Sequence, residues 1–338
     1  MKTKDNSLVS PGYYPNSTLA MVVASLLFGT LASPAQTGNY LYDGPGTYGT
    51  GWSGSEETIT LSPGLYDITA YGAQGGGAAE NTGNVYSYSG GFGAEMEGEF
   101  SFSTTVTLTL LVGGAGGLAH GGFTNNEAFY VYYWGGGGGG GSFVVNGNTP
   151  LVVAGGGGGA GSSGGGGNGS INAGSSGGGN SGGYPGYNGG GGGGYLGNGL
   201  AYQIESGGLS YLNDGRGGFG VGPSYYGEGA SGDGGYGGGG AGVYGGGGGG
   251  GYSGGSGGSY FSVGSNGTGG YNGTGGGSYI DSSAITDITG ISGVASPDGS
   301  PNGEIIITAV PEPTTLVLAG LSGLSVLLFC RWRRAQLS

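Results

Sequence analysis

Glycine limits what this chain can fold into more than any other feature of the sequence. The 338 residues include 100 Gly and 12 Pro, and residues 135–279 hold 70 of those Gly in 145 positions. Such a stretch has too few large apolar side chains for an ordinary core, and each Gly loses much backbone entropy when it becomes ordered. The small number of Pro and the lack of a Gly-X-Y period exclude collagen.

Two states are compatible with the glycine-rich stretch. Composition by itself favours a disordered coil. The alternative is a bundle of extended polyglycine II helices with three residues per turn, whose main-chain groups bond to neighbouring helices. Strand-like borders at 142–145 and 151–154, and the many Tyr, favour order. The residues expected at outward positions or turns of such a bundle are Ala160, Ser162, Ser163 and Asn168.

Around the glycine tracts the sequence predicts short strands and no amphipathic helix. In residues 105–112, Val106, Leu108 and Leu110 alternate with threonines, the period of a half-buried strand. Eight strands are expected, at residues 57–61, 65–71, 92–102, 105–112, 142–146, 151–154, 259–263 and 304–309. This pattern predicts an all-β fold, an antiparallel sandwich of jelly-roll size over residues 56–309, with the glycine-rich region 135–279 inserted in it.

The distribution of charge excludes several functions. Between residues 36 and 310 the chain has 17 acidic residues, one basic residue (Arg216), and no Lys or Cys. Phosphate-binding loops and protein kinases need a Lys, while disulfides and cysteine zinc sites need Cys. So acidic a body also repels DNA and RNA, and we expect no nucleic-acid partner.

The N-terminus has the features of a secretory signal peptide. Two Lys precede the apolar run 19–32, which is too short to span a membrane comfortably. A site of small residues follows, with Ala35 as the residue after which cleavage is expected. We therefore expect a signal peptide over residues 1–35 and a linker over 36–55. The alternative is a buried apolar segment.

The C-terminus carries a second apolar segment. Residues 314–330 are uncharged, at the short end of what a membrane-spanning helix needs. A basic cluster of Arg331, Arg333 and Arg334 follows at once. Under the positive-inside rule these arginines stop transfer and leave the body outside the cytoplasm. The segment is preceded by Val310, Pro311, Glu312 and Pro313. The two prolines hold this stretch extended and accessible.

The tail over residues 310–338 resembles the PEP-CTERM sorting signal, because a Pro-Glu-Pro motif, an apolar helix and an Arg cluster follow one another in that order. In that family, bacterial exosortase enzymes recognise and process the tail, delivering the protein to the cell surface or extracellular matrix. The resemblance implies an exosortase-type partner that recognises Pro311, Glu312 and Pro313. The alternative is a permanent single-span anchor with a chance pair of prolines.

The body resembles a second family. Residues 64–68 and 72–76 look like the entry of the glycine-rich domain of anaplastic lymphoma kinase-type receptors, and residues 302–307 look like its closing strand. Over residues 56–309 the resemblance implies a tumour-necrosis-factor-like β-sandwich with polyglycine helices inserted. This chain lacks the kinase domain, so the resemblance implies no kinase activity.

Two groups of polar residues are candidate cation sites, and Ca²⁺ is the cation that such oxygen ligands suit. The first group lies on one face of a predicted strand and comprises Glu95, Glu97 and Glu99. The second precedes the last strand, without EF-hand spacing, and comprises Asp298, Asn302 and Glu304. For the first group the plainer interpretation is a solvated face that discourages edge pairing. We expect no resident cofactor unless Ca²⁺ binds at one of these two groups.

Two further features are candidate sites. His120 lies in a glycine-rich loop, without a nucleophile motif beside it, and is expected to be an exposed loop residue. Residues 130–134 form the densest aromatic cluster. Exposed, such aromatics contact a glycan or a partner surface. The favoured interpretation is that they cover glycine helices, which supply no side-chain packing of their own.

These features predict a non-enzymatic, exported structural or adhesive protein of the cell surface or extracellular matrix. Its acidity keeps it soluble, and divalent cations would bridge it to extracellular polysaccharide. An alternative is a surface module that binds a glycan, a peptide or ice. A secreted hydrolase using two carboxylates is a third candidate, although no such pair stands out in the sequence.

Overall fold

The fold is taken from a computed structural model, which describes residues 38–42, 54–80, 85–119, 131–174, 180–202, 205–221, 231–262, 267–286, 289–311, 322–325, 327–329 and 331–332. The strands in these ranges are β1 (Gly38–Leu41), β2 (Glu57–Leu61), β3 (Gly64–Tyr71), β4 (Ala78–Glu80), β5 (Val85–Tyr88), β6 (Gly93–Phe102), β7 (Val106–Leu111), β8 (Val131–Trp134), β9 (Ser142–Asn146), β10 (Thr149–Ala154), β11 (Tyr260–Ser262), β12 (Gly267–Gly270), β13 (Tyr279–Ile280), β14 (Thr289–Val294) and β15 (Glu304–Val310). A single turn of 3₁₀ helix covers Tyr211–Asn213.

Two antiparallel five-stranded sheets pack face to face. The first has the order β1-β15-β3-β6-β14 and the second the order β13-β10-β9-β7-β2. Strand β10 of the second sheet contacts β3 and β6 of the first. The all-β class is therefore confirmed, and all eight expected strands are present, with ends shifted by at most two residues. The jelly-roll winding and the likeness to tumour necrosis factor stay predictions.

A third, smaller sheet has the order β11-β12-β8-β4-β5, and its β12–β8 pair is parallel. The sequence pattern did not predict four of its five strands. They are only three or four residues long, and β12 reads Gly-Thr-Gly-Gly, without any apolar side chain to mark a buried face.

The central strands β9 and β10 of the second sheet are buried on both faces. Val144 and Val152 are paired and share one face, while Phe143 and Val153 are paired and share the other. This second face packs against buried Tyr195, Tyr211 and Tyr236 from the glycine-rich region. Burial on both faces explains the uninterrupted apolar runs of β9 and β10, which strands with one wet face do not show.

The glycine tracts are ordered, as residues 135–141 show. Gly138 and Gly141, three residues apart, both donate to segment 237–243, at 2.8 and 3.0 Å. The residues between them bond to other segments, so each third of the helix surface faces a different pair of neighbouring segments. The tract bonds to six segments in all: 73–76, 114–117, 157–160, 232–235, 237–243 and 247–250. Three residues per turn and no bond within the tract define a polyglycine II helix.

We call the assembly of such segments the glycine bundle. It comprises residues 72–77, 90–93, 113–119, 135–141, 155–160, 164–169, 180–186, 189–194, 197–200, 205–210, 215–221, 231–243, 245–251, 253–258 and 271–277. Of the two states open from composition, the described part of region 135–279 therefore adopts the hydrogen-bonded one. Segments 72–77 and 113–119 extend the bundle beyond that region.

Space, rather than an unusual backbone angle, makes glycine necessary in the bundle. Only seven of the described glycines have positive φ. A Cβ added to Gly138 would come within 3.0 Å of main-chain atoms of Gly248 and Gly249, closer than real Cβ atoms approach. Ala160 was expected to face outward or lie in a turn, but it is fully buried at the end of its tract. Ser162 and Ser163 form the turn that follows it.

The glycine segments leave the sandwich at one end. In the first sheet, Tyr71 at the end of β3 is opposite Glu304 at the start of β15. In the second sheet, Leu111 at the end of β7 is opposite Phe143 near the start of β9. The buried side chain of Ser142 links the two sheets at this end by hydrogen bonds. Its hydroxyl donates to the Tyr71 carbonyl at 2.6 Å and accepts from the Gly113 N–H at 3.0 Å. The opposite end of β15 therefore points away from the origin of the bundle.

Candidate functional site

The predicted sorting motif begins where the first sheet ends. Val310 is the last residue of β15 and pairs with Leu65 of β3. Pro311 follows directly and is exposed. Because proline lacks an N–H group, it cannot extend the ladder, so no residue separates the end of the strand from the first proline of the motif. Glu312 and Pro313 lie outside the described residues.

Strand β1 starts towards this end of the sheet. Strand β1 runs antiparallel to β15, with Gly38 opposite Ile307 and Leu41 opposite Glu304. The chain thus enters the first sheet on the side where the motif leaves it. Residues 1–37, with the predicted cleavage site at Ala35, lie outside the described residues, and the signal peptide stays a prediction.

The tail after the motif is described in part. Residues 322–325, 327–329 and 331–332 are helical, and Arg331 is exposed. In the described part of the chain, none of the helices has the length and apolar character needed to cross a bilayer. Much of the expected span 314–330, together with Arg333 and Arg334, lies outside the described residues, so the membrane-spanning helix stays a prediction.

Carboxylates of the first candidate cation group accept hydrogen bonds from neighbouring side chains. Glu95, Glu97 and Glu99 alternate along β6 and are each half-buried. The Thr289 hydroxyl donates to Glu97 and the Thr286 hydroxyl donates to Glu99, both at 3.2 Å. In the ranges that the structure describes, no three His, Cys, Asp or Glu side chains are placed so that they could hold a metal ion. These carboxylates form a hydrogen-bonded acidic face on the first sheet.

The second candidate cation group forms hydrogen bonds within the loop before β15 and from this loop to the glycine bundle. Glu304 is buried and accepts hydrogen bonds from the Ser296 hydroxyl at 3.2 Å and from the Asp298 N–H at 3.3 Å. The side-chain oxygen of Asn302 accepts from the Ala115 N–H in the glycine bundle at 2.9 Å. The oxygens that the sequence suggested for Ca²⁺ are therefore engaged within the protein.

The most perturbed acid–base group near the acidic face is a phenol. Burial raises the pKa of Tyr71 to about 12, helped by the negative charges of Glu95, Glu304 and Glu97 and by a hydrogen bond to Glu95. Burial likewise raises the pKa of Glu56, near Asp214, and that of Tyr211. A phenol with so high a pKa stays protonated at neutral pH, so Tyr71 acts as a hydrogen-bond donor there and not as a base.

In the aromatic cluster at 130–134, the side chain that the structure describes, Trp134, packs in the interior. Trp134 is 2% exposed, and its ring stacks on Tyr244 with centroids 5.5 Å apart. Both belong to a buried cluster with Ala119, Val221 and Val243 from the glycine bundle. The favoured structural role is thus confirmed for Trp134. Tyr130 and His120, and the side chains of Tyr132 and Tyr133, lie outside the description.

A surface that the sequence reasoning missed lies on the glycine bundle. We call Tyr184, Tyr187, Leu200 and Tyr202 the rim patch; their exposed fractions are 59%, 39%, 50% and 56%. The Leu200 N–H donates to the Gly183 carbonyl at 3.0 Å, which places Leu200 beside the segment that carries Tyr184. Tyr187 and Tyr202 are in ring contact. The signal available in the sequence was large side chains between short tracts, as in Gly-Tyr-Pro-Gly-Tyr-Asn at 183–188.

Comparison with known proteins identifies the tail. Residues 309–334 match the family model described as the PEP-CTERM protein-sorting motif. No curated protein matches the chain. The family match is confined to the tail and lends no support to the resemblance between the body and anaplastic lymphoma kinase-type receptors. The sorting signal expected at 310–338 is thus confirmed as a motif, and it indicates an exported surface protein that is sorted by exosortase.

Proposed function

We propose that this protein is a non-enzymatic structural or adhesive component of the cell surface or extracellular matrix. One observation carries the proposal: the sorting motif follows β15 directly, at the end of the sandwich opposite the origin of the glycine bundle. Attachment through the tail would place the sandwich nearest the cell and project the bundle away from it. The protein would then work by presenting a rigid surface, without catalysis or a resident cofactor.

The chemistry of the body suits such an exposed position. Main-chain hydrogen bonds hold the glycine bundle, and the absence of Cys between residues 36 and 310 means that its stability depends on no disulfide. The body is strongly acidic, with a single Arg between residues 36 and 310. This charge opposes collapse onto anionic surfaces and lets divalent cations bridge the acidic face to extracellular polysaccharide. The proposed partners are therefore an exosortase, the membrane before processing, and an anionic polysaccharide, but not nucleic acid.

The sorting step is tested with a double variant, Pro311→Ala with Pro313→Ala, of the full chain in cells that have exosortase. We expect the variant to accumulate unprocessed in the membrane fraction, while the unaltered chain reaches the surface or matrix. Pro63→Ala is the matched control, because Pro63 is exposed and lies just before β3, at the same end of the sheet. Equal surface display of the double variant and the control would overturn sorting through these prolines.

The structural or adhesive role needs a separate test. Cells lacking the protein should aggregate or form biofilm more weakly, and the unaltered chain should restore the behaviour. The double motif variant should fail to restore it, because the bundle would not be displayed. Unchanged cell–cell aggregation on loss of the protein would contradict the role even if sorting is as proposed.

A second candidate function is glycan binding by the rim patch. The supporting observation is that four large side chains are 39–59% exposed on one part of the bundle. Tyrosine rings present a flat apolar face on which a sugar ring can stack. A glycan array probed with the full chain and with Tyr202→Ala tests this, and Leu212→Ala, 53% exposed outside the patch, is the control. Equal glycan signals for the two variants would remove this candidate.

A further inference from the structure

Two tyrosines of the rim patch lie ring to ring and are open to solvent. The ring centroids of Tyr187 and Tyr202 are 4.8 Å apart, and the ring planes are inclined by 45°. Their side chains are 39% and 56% exposed. Proximity and accessibility to a small oxidant are therefore combined in one pair.

The main chain at both residues is held in place. Tyr187 lies in a two-residue turn, in which the Gly186 N–H donates to the Gly189 carbonyl at 2.8 Å. Asn188 in this turn has a φ of 68°, the left-handed conformation that Asn tolerates better than most residues. The Tyr202 N–H donates to the buried Glu205 carboxylate at 3.0 Å. Because both attachment points are fixed, the two rings remain neighbours and need no search to meet.

A buried tyrosine pair provides the contrast. Tyr195 and Tyr211 stack with centroids 5.3 Å apart. They are only 4% and 8% exposed, because they cover the outer face of the second sheet. An oxidant in solution would reach the Tyr187–Tyr202 pair and would be kept from this one.

We infer that Tyr187 and Tyr202 form an oxidative cross-linking site whose product is an intramolecular dityrosine. The oxidant class is hydrogen peroxide used by a haem peroxidase. Each phenol gives up one electron and one proton. One molecule of hydrogen peroxide accepts the two electrons and two protons and becomes two molecules of water. The two tyrosyl radicals couple through a new carbon–carbon bond between the ring carbons next to the hydroxyl groups. The hydrogen on each coupled carbon then moves to the phenolic oxygen, which restores both phenols.

The cross-link would supply something that the sequence otherwise lacks. Between residues 36 and 310 there is no Cys, so a disulfide cannot lock the body covalently. The new bond would join the turn at 186–189 to the segment that contains Leu200 and Tyr202. It goes beyond the proposed function, since it concerns a covalent modification that does not depend on sorting.

The test treats the purified full chain, in mild detergent, with a haem peroxidase and limiting hydrogen peroxide. We expect dityrosine fluorescence from chains that still run as monomers on a denaturing gel. Mass spectrometry of peptides from a Glu-specific protease should show the loss of two hydrogen atoms in the peptide ending at Glu205. Backbone fragments between residues 187 and 202 should be missing from its spectrum. Tyr187→Phe and Tyr202→Phe should each abolish this product, whereas Tyr184→Phe, which removes a more exposed phenol of the same patch, should retain it.

Three results would overturn the inference. The first is a product that persists in Tyr187→Phe or is absent from the unaltered chain. The second is cross-links distributed over exposed tyrosines, Tyr184 included, or formed only between chains. The third is the same link, in the same yield, from a chain unfolded in denaturant before oxidation. Circular dichroism of each variant confirms that folding is unchanged, as expected for a substitution that keeps the ring.

Discussion

At the scale of single residues, Ser142 shows how the two kinds of structure in this protein are joined. Its hydroxyl connects the last carbonyl of β3 to the first N–H of the tract that follows β7. Both groups belong to buried residues, where water is excluded. A small hydroxyl side chain that both donates and accepts satisfies the two groups at once.

Replacing Ser142 with Ala should lower the free energy of unfolding by about 1–3 kcal/mol, because the buried Gly113 N–H loses its acceptor and the Tyr71 carbonyl loses a donor. Urea denaturation followed by circular dichroism measures the loss. Ser101→Ala is the control, since Ser101 is exposed on β6 and its replacement should change stability by less than about 0.5 kcal/mol. Equal effects of the two substitutions would show that the Ser142 contacts contribute little.

Tyr71 gives a prediction in the alkaline range. Its pKa is about 12 in the folded protein and near 10.0 in an unfolded chain. The folded state therefore holds the proton more tightly. The contribution of Tyr71 to the free energy of unfolding is fully present below pH 10. It declines as the pH rises towards 12, since the phenol of the unfolded chain loses its proton first. Tyr71→Phe should make the loss of stability over this range less steep.

The measurement for Tyr71 is a set of urea unfolding curves across this pH range, together with phenolate absorbance. The absorbance titration should lose one late-titrating phenol in Tyr71→Phe. Tyr184→Phe, with a ring 59% exposed, serves as the control and should leave the alkaline loss of stability unchanged. An unaltered pH dependence in Tyr71→Phe would contradict the assignment.

At the scale of elements, the glycine tract differs from a strand in what specifies it. A strand such as β7 shows its buried face in alternating side chains. A polyglycine II helix has no such face, and its six neighbours are chosen by main-chain hydrogen bonds and by the absence of Cβ atoms. Its stability should therefore respond to a single added methyl group more sharply than that of a surface strand.

Gly138→Ala tests this response. The new Cβ would meet main-chain atoms of Gly248 and Gly249, which cannot move aside as a flexible side chain would. Overpacking of this kind costs about 1–3 kcal/mol or more, and hydrogen–deuterium exchange should become faster in residues 135–141 and 245–251. Gly174→Ala is the matched control within the same region, because nothing lies within 4 Å of a Cβ at that position. Slow exchange in both variants, or fast exchange of these tracts in the unaltered chain, would contradict the hydrogen-bonded bundle.

The elements that were predicted and those that were missed differ for a physical reason. The strands β7, β9 and β10 were visible because apolar side chains mark the faces that they bury. The edge strand β14 reads Thr-Gly-Ile-Ser-Gly-Val and has no fully buried residue, so its sequence lacks the alternating apolar side chains that predict a strand. The acidic residues of β6 were placed correctly on one face, but only the fold shows that threonine hydroxyls engage Glu97 and Glu99.

At the scale of the whole molecule, the strand directions give the body two distinct ends. The sorting motif leaves at the C-terminal end of β15, beside the start of β3 and the end of β6. The tracts 72–77, 113–119 and 155–160 all leave at the opposite end. If the protein is held at the cell through its tail, the turn between β6 and β7 faces the cell and the turn at 161–164 faces outward.

Thiol labelling on intact cells tests this orientation. Thr104→Cys and Ser163→Cys place a thiol at exposed positions in these two turns, roughly 45 Å apart from the rise per residue of strands and polyglycine helices. With Cys330→Ser as the background, a bulky maleimide should label Ser163→Cys faster than Thr104→Cys on cells. The purified variants should react at similar rates. Equal labelling on cells would contradict attachment of the body at the tail end.

The sequence by itself determined where this protein is sent and which residues form its main strands. Sorting motifs and alternating strands are local patterns of side chains, so both can be recognised without any knowledge of distant contacts. Only the tertiary structure decided that the described glycine tracts are ordered, which six segments surround residues 135–141, and that Tyr187 meets Tyr202. Those features depend on main-chain groups far apart in the chain, and glycine, which has no side chain, leaves no pattern from which its partner can be identified.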